Sequence, residues 1–402
     1  AVGEIGPHRF GFAAAVANAL GRRLRFFGGA PVVNDYLPAI GGEAPGRWIG
    51  GGLAELRLDG DVDVDADDLH ALLSGRDPRS GARLGQPHTV PGFDLTFRAP
   101  KSVSVLFGLG EPGVARQIVE AHEQAIAASL DWAERHVVWS RRGHGGTEQI
   151  RCEGLIGAAF RHRTSRNGDP HLHTHVLVAN TVLGVDGRWA TPDFRWLYTS
   201  SKTIGYLYEA QLRHNLTVAF GVEWGPVVNG IADIAHIPAD VLKEFSSRRS
   251  EIEERMAIRN QHSPSAAMYA ALDTRRAKSA DLGGVELRRR WADQARGIGF
   301  DPVQVRDALG RVLPSELREE SRIEVDARLL GPDGLTGHQS TFDRRDVIQA
   351  WCDALPAGAP VELVEELADG LLARPTTVEL GDGTAGPAIR DAGGRVISTL
   401  PP

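Results

Sequence analysis

Residues 160–180 read FRHRTSRNGDPHLHTHVLVAN, and the fold turns on this stretch. His173 and His175 stand two apart as the chain enters the β-branched run Val176-Leu177-Val178. Residues two apart in a strand share a face, so both imidazoles point the same way. His162 ends another apolar run, Leu155 to Phe160. Between the runs lies Thr164 to Pro170, rich in turn formers, with Asn167-Gly168 at its centre. That dipeptide favours a hairpin reversal. A hairpin folded there sets His162 opposite His173 and brings three imidazoles onto one sheet face, enough for a metal site with open positions. A lone strand histidine is usually a plain surface or core residue; the third, placed by a legible turn, shifts the balance toward a metal. His171 faces the same way as His173, so the pattern alone leaves the choice of trio open.

The chain around this hairpin has 402 residues, room for two or three domains. Its composition, 42% apolar and 24% charged, is that of an ordinary globular protein. No stretch approaches a membrane span, and no convincing cleavage site follows the apolar run Phe12 to Leu20. Cys152 and Cys352 suggest no disulfide framework, and a reducing cytoplasm fits. The formal charge is −7, but residues 301–402 hold 18 acidic and 10 basic residues, leaving the first 300 near neutral. Around the histidines the sign reverses, with Arg141, Arg142, Arg151, Arg161, Arg163 and Arg166 against Glu148, Glu153 and Asp169. Guanidinium forks match phosphate oxygens, so a basic patch beside a metal site suits a polyanionic substrate; arginines decorating an exposed hairpin are the plainer reading. No GxxxxGK[ST] phosphate loop is present, which argues against an ATPase.

Hydrophobic periodicity divides the rest. Asp61 to Leu73 reads as a short capped helix, Asp94 to Phe97 and Ser102 to Phe107 as strands, and Pro112 to Glu134 as a long helix. His136 to Arg141, Gln149 to Arg163 and His173 to Leu183 read as further strands. Helical patterns follow at Arg195 to Phe220, Pro238 to Arg259, Gly284 to Ala295 and Pro302 to Leu309, then at Arg344 to Leu355 and Pro360 to Leu372. A strand-rich core followed by helices is an α+β pattern.

Three stretches resemble the N-terminal relaxase domain of MobF-type (TrwC-like) conjugative relaxases, members of the HUH endonucleases. One is GFDLTFRAPKSVS, Gly92 to Ser104; the second is the histidine stretch itself; the third, looser, runs from Gly187-Arg188-Trp189 through Lys202-Thr203-Ile204-Gly205 to Glu209 and Leu212. The resemblance covers roughly residues 36–300. It implies a central antiparallel sheet, a five-stranded palm, with helices flanking it and a helical part closing over DNA. Residues 1–35 then form an atypical or truncated N-terminal segment. Residues 301–402 form an acidic linker, a helical C-terminal extension that starts a missing helicase region.

The resemblance also implies chemistry: site- and strand-specific nicking and rejoining of single-stranded or hairpin DNA at a plasmid transfer origin. Relaxosome accessory proteins and a coupling protein would be further partners, without membrane insertion. It maps the family's metal ligands onto His162, His173 and His175, and the acidic residue that orients a ligand histidine onto Asp94. His171 stands where the family does not require histidine. A tyrosine hydroxyl would attack the phosphodiester and keep the 5′-phosphate, storing the bond energy for rejoining. Asp94 would fix an imidazole tautomer, or act as base toward the tyrosine. Lys101, Arg161 and Arg166 are candidate DNA contacts. Three neutral imidazoles suit zinc, nickel or manganese better than magnesium.

The nucleophile departs from the family's pattern of one or two N-terminal tyrosine pairs. Tyr36 alone precedes the metal motifs, and Phe26-Phe27 stands where a first pair is expected. Three readings stay open: the true start is missing, Tyr36 acts alone, or the domain binds origin DNA without cutting it. A metal hydrolase acting on some other phosphate ester is a further alternative, which predicts free product and no covalent species.

Overall fold

The β-branched strand residues of the histidine hairpin and the GFDLTFR stretch are paired side by side in the sheet that organises the molecule. The computed structural model describes residues 43–259, 263, 283–315, 317–337 and 339–378, with the backbone of short strands at 22–23, 26–27, 30–31, 388–390 and 396–399. The central sheet has five strands: β1 (Arg22–Arg23), β2 (Arg47–Ile49), β3 (Gly92–Arg98), β6 (Gly157–Thr164) and β7 (Pro170–Ala179), in the order β1-β3-β7-β6-β2. Every neighbouring pair is antiparallel, as expected of the palm. A second sheet contains β4 (Trp139–Arg142), β5 (Glu148–Arg151), β8 (Ala388–Arg390) and β9 (Val396–Thr399), with β8 parallel to β5.

Seven helices matter for the site: α1 (Ala66–Leu73), α2 (Lys101–Leu109), α3 (Pro112–Val137), α4 (Phe194–Phe220), α5 (Gly284–Gly297), α6 (Arg344–Ala354) and α7 (Val361–Leu372). Asp65 caps α1, accepting from the backbone N–H groups of Asp67 and Asp68, the usual way a helix start satisfies its free donors. Strand alternation sends Leu95, Phe97, Ala159, Leu172, Val176 and Val178 into the main core beneath α3 and α4. The opposite face is split. Ala158, Phe160, Leu177 and Ala179 pack with Trp48 and with Leu69, Leu72 and Leu73 of α1. The other half of that face carries the histidines.

Several sequence expectations need correction. Ser102 to Phe107 is helix, not strand. Its Ser-Val-Ser-Val alternation imitates a strand, but Ser102 to Leu106 are all buried, so no polar face marks the helical period. The hydroxyls of Ser102 and Ser104 are satisfied by the backbone N–H groups of Ile234 and Leu172. The run Gln149 to Arg163 is two strands in different sheets, broken between Arg151 and Gly157. The helix expected over Pro238 to Arg259 breaks into Ala239–Glu244 and Ser247–Ile258.

The acidic C-terminal part shares the main core. Val347, Ile348 and Trp351 of α6, and Val361, Val364 and Leu371 of α7, are buried in the same cluster as Ile204, Leu207 and Leu212 of α4. Arg213 of α4, fully buried, donates to the carbonyls of Gly230, Cys352 and Leu355. Asp353 accepts the Gly230 N–H at 2.6 Å. No helix among the described residues is long and apolar enough to cross a membrane.

Candidate functional site

The hairpin register builds the site. Pairing of β6 with β7 sets His162 opposite His173 and Phe160 opposite His175. Pairing of β3 with β7 sets Thr96 opposite His175 and Arg98 opposite His173. The reversal occupies Ser165 to Asp169, where the Ser165 N–H donates to the Asp169 carbonyl. Gly168 takes φ +84°, a left-handed conformation that glycine adopts without a Cβ clash. Trp291 of α5 donates to the Gly168 carbonyl and Ser247 to the Asp169 carboxylate, so both later helical segments grip the turn.

His162, His173 and His175 form a nearly equilateral triangle, with ring centroids 5.3, 5.4 and 5.3 Å apart. An ion ~2.1 Å from each ring nitrogen lies ~3 Å from each centroid, so three imidazoles at roughly tetrahedral angles stand about 5 Å apart. The triangle has that size. Among the described residues no three His, Cys, Asp or Glu side chains are placed to hold a metal ion as they stand; what fits an ion is the spacing of the rings and the bonds that hold two of them. Two nitrogens are already assigned by their partners. His175 Nδ1 donates to Asp94 at 2.9 and 3.0 Å, and His173 Nδ1 donates to the His171 carbonyl at 2.8 Å. Each bond leaves Nε2 as the lone-pair nitrogen, the usual preparation of a ligand histidine. Burial, then the neighbouring imidazoles of His171, His175 and His162, hold the His173 pKa well below its ordinary value, so the ring is neutral as a ligand must be.

Asp94 is 4% exposed and also accepts from Thr96 Oγ1 at 3.2 Å. The structure therefore places its carboxylate behind His175. Because the bond fixes a tautomer, Asp94→Asn is expected to weaken divalent-metal binding by about 10–100-fold, checked by calorimetric titration. His171 lies on the same face, stacked on His173 with centroids 4.6 Å apart, and is itself held neutral by burial and by the Lys101 and Arg98 charges.

The expected DNA contacts scatter. Lys101 Nζ donates to the Pro170 carbonyl at 2.8 Å, tying α2 to the start of β7, and burial pulls its pKa down to about 8. Arg161 pairs with Glu123 of α3, which also holds Arg47 at 3.2 Å. One residue from His162, Arg161 necessarily points to the other face. Arg166 is exposed on the turn. Tyr36 lies outside the described residues, as does Tyr269.

Sequence reasoning missed several groups. Thr96 follows Asp94 by two, so alternation was the signal for it. Arg98 continues that row; burial lowers its pKa against the opposing charges of Asp94 and Glu209. On the far face, His122 of α3 bonds Thr174 Oγ1 at 2.9 Å and the Tyr208 hydroxyl at 2.7 Å. No local pattern marks His122, because its partners lie 52 and 86 residues away.

The TrwC relaxase family profile matches residues 14–298. The multifunctional conjugation protein TraI of Escherichia coli is 32% identical over 356 residues, 85% of this chain and 18% of TraI. The TraI of strain K12 is 30% identical over 80% of this chain and 19% of its own length. The chain thus spans about a fifth of the curated relatives it matches. Among solved structures, a metal-free complex of the conjugative relaxase TrwC with oriT DNA superposes with a TM-score of 0.58 at 30% identity, covering 64% of this chain and 92% of that one. The metal-bound TrwC complex with oriT DNA gives 0.57 at 30% identity, covering 64% and 90%. With its antiparallel palm, histidine triangle and supporting aspartate, the chain belongs to the TrwC relaxase family.

Proposed function

We propose that this domain nicks one strand of DNA at a conjugative transfer origin and rejoins it by tyrosine transesterification, with a divalent metal held by His162, His173 and His175. The observation that carries the reading is the register that sets these three rings in a triangle with Asp94 behind His175. Solved TrwC relaxases with oriT DNA, in metal-free and metal-bound forms, support it.

A bound divalent ion would supply Lewis-acid withdrawal of charge from the scissile phosphate's non-bridging oxygens. Tyr36, preceding the palm motifs, is the nucleophile in this reading. Its oxygen forms a bond to phosphorus, the bond from phosphorus to the 3′ oxygen breaks, and the phenol proton ends on that departing oxygen. The product is a 5′-phosphotyrosyl protein and a free 3′-hydroxyl. Attack by a 3′-hydroxyl reverses the step without ATP, because one ester replaces another. Asp94 acts through His175, holding its Nδ1–H and leaving Nε2 for the ion. A set of three imidazoles favours zinc, nickel or manganese over magnesium. Arg166, exposed beside the site, suits a phosphate contact.

The test is incubation of the purified chain with single-stranded oligonucleotides spanning its transfer origin and Mn²⁺, Ni²⁺, Zn²⁺ or Mg²⁺. A covalent protein–DNA band on a denaturing gel, with the adduct mapped to Tyr36 by mass spectrometry, is expected. Free nicked product without adduct would instead mean a hydrolase, and binding without any cleavage a DNA-binding remnant.

A further inference from the structure

We infer that His122, Thr174 and Tyr208 form a positioning device for the metal-binding strand, setting the relative aim of His173 and His175 from the far face of the sheet. The inference rests on the metal-centre reading above. Thr174 is the residue between the two proposed ligands, and the strand pleat at that residue sets the angle between their Cβ directions.

The tether lies one residue inside the end of the regular ladder. Pairing of β3 with β7 ends at Arg98 opposite His173, and the register of β6 with β7 becomes irregular between His162 and Thr164. His173 therefore sits at the end of regular strand pairing, beyond which Leu172 is held by the Ala99 N–H and the Ser104 hydroxyl. Thr174 Oγ1, 2.9 Å from His122, is the first side-chain anchor inside that end. His122 is fully buried in α3 and Tyr208, 2% exposed, lies in α4, so both covering helices reach the strand through one chain of hydrogen bonds. The Tyr208 ring also packs edge-on against Phe97, centroids 5.4 Å apart, and so touches β3 as well.

The chemistry matches the geometry. A neutral imidazole offers one N–H and one lone pair, and each hydroxyl can donate or accept, so both ring nitrogens are satisfied. Burial, reinforced by the charges of Arg161 and Arg47, holds the His122 pKa down to about 3, so the ring stays neutral. An apolar β-branched residue at 174 would suit the surrounding core of Phe97, Leu172 and Val176 better by burial alone. Fully satisfied buried polar networks add rigidity that apolar packing lacks.

The test is calorimetric titration of the full 402-residue chain with Mn²⁺, together with the visible spectrum of the Co²⁺ form. Thr174→Val keeps the shape and removes the hydroxyl; Tyr208→Phe keeps the ring and removes the second link. Thr174→Ser restores the anchor. Leu371→Ala is the control, a buried cavity in α7 on a different element. Thr174→Val is expected to weaken Mn²⁺ binding by up to about 10-fold, less than loss of a bond made directly to a ligand, and to shift the Co²⁺ bands. Tyr208→Phe should weaken it less, and Thr174→Ser should return both readouts toward wild type. Leu371→Ala should lower the melting temperature and leave metal affinity unchanged. Wild-type affinity and spectrum in Thr174→Val, or in Tyr208→Phe if the valine variant misfolds, would overturn the inference. A wild-type chain that takes up no metal would instead remove the metal-centre reading itself, and the inference with it.

Discussion

Replacing His173 with alanine is expected to reduce covalent adduct formation by about a thousandfold, while His171→Ala stays close to wild type. His173 is the apex shared by both sheet pairings: it stands opposite His162 on one side and Arg98 on the other. Losing it leaves two imidazoles, too few to hold an ion against water. Lewis-acid stabilisation is worth several kcal/mol, and about 4 kcal/mol corresponds to roughly a thousandfold in rate. His171 is the sharper control because it is nearer to His173 than either of the other two rings. Its contribution to the triangle, however, is a backbone carbonyl, which accepts from His173 Nδ1 and survives substitution by alanine. Adduct yield on a denaturing gel, with metal affinity of each variant measured in parallel, checks both halves. An inactive His171→Ala that no longer binds metal would mean the trio is drawn wrongly.

The second large effect is on stability. A chain ending at residue 300 is expected to be poorly soluble or to melt far below the longer chain, although the family match itself ends at residue 298. Removing α6 and α7 uncovers the α4 side of the main core and takes away Cys352 and Leu355, two of the three carbonyls that receive the fully buried Arg213. A buried guanidinium stripped of acceptors is among the costliest defects a core can carry. The point variant Trp351→Ala isolates the packing part: Trp351 is fully buried, and such truncations cost about 3–5 kcal/mol. For a folded unit of this size that is about 4–6 °C in Tm. Thermal melts of the full chain, the truncation and Trp351→Ala decide it. A chain ending at 300 that melts like the longer one would show that α6 and α7 are an appendage. On the expected outcome, the folded unit extends at least to Leu372, with Asp326 and Glu365 of the acidic segment buried in it against arginines.

The histidine hairpin was legible because its determinants are local. A period of two, a turn with glycine where φ is positive, and two apolar runs are enough to fix register, and register places His162 against His173. The role of Asp94 was legible only through the resemblance; nothing in its neighbours says that it faces a histidine 81 residues away. The helix Lys101–Leu109 was misread because burial on every side erases the periodicity that separates helix from strand. The pairing of Arg161 with Glu123 was not legible because a basic residue beside the site was counted without its parity, and parity turns it to the other face. The bond of Lys101 was not legible because its partner, the Pro170 carbonyl, is a backbone group that no sequence pattern displays.

By itself, then, the sequence determined which strand faces would be apolar, where the chain would reverse, and that His162, His171, His173 and His175 would share a face, since those follow from alternation and turn chemistry over about twenty residues; the choice of trio among them came from the resemblance. Only the tertiary structure decided which nitrogens are held for binding, which cations are already spent, and that α6 and α7 close the core. Those are outcomes of contacts between segments tens to hundreds of residues apart, where burial makes each polar group take the partner that packing brings to it rather than the one its sequence neighbours suggest.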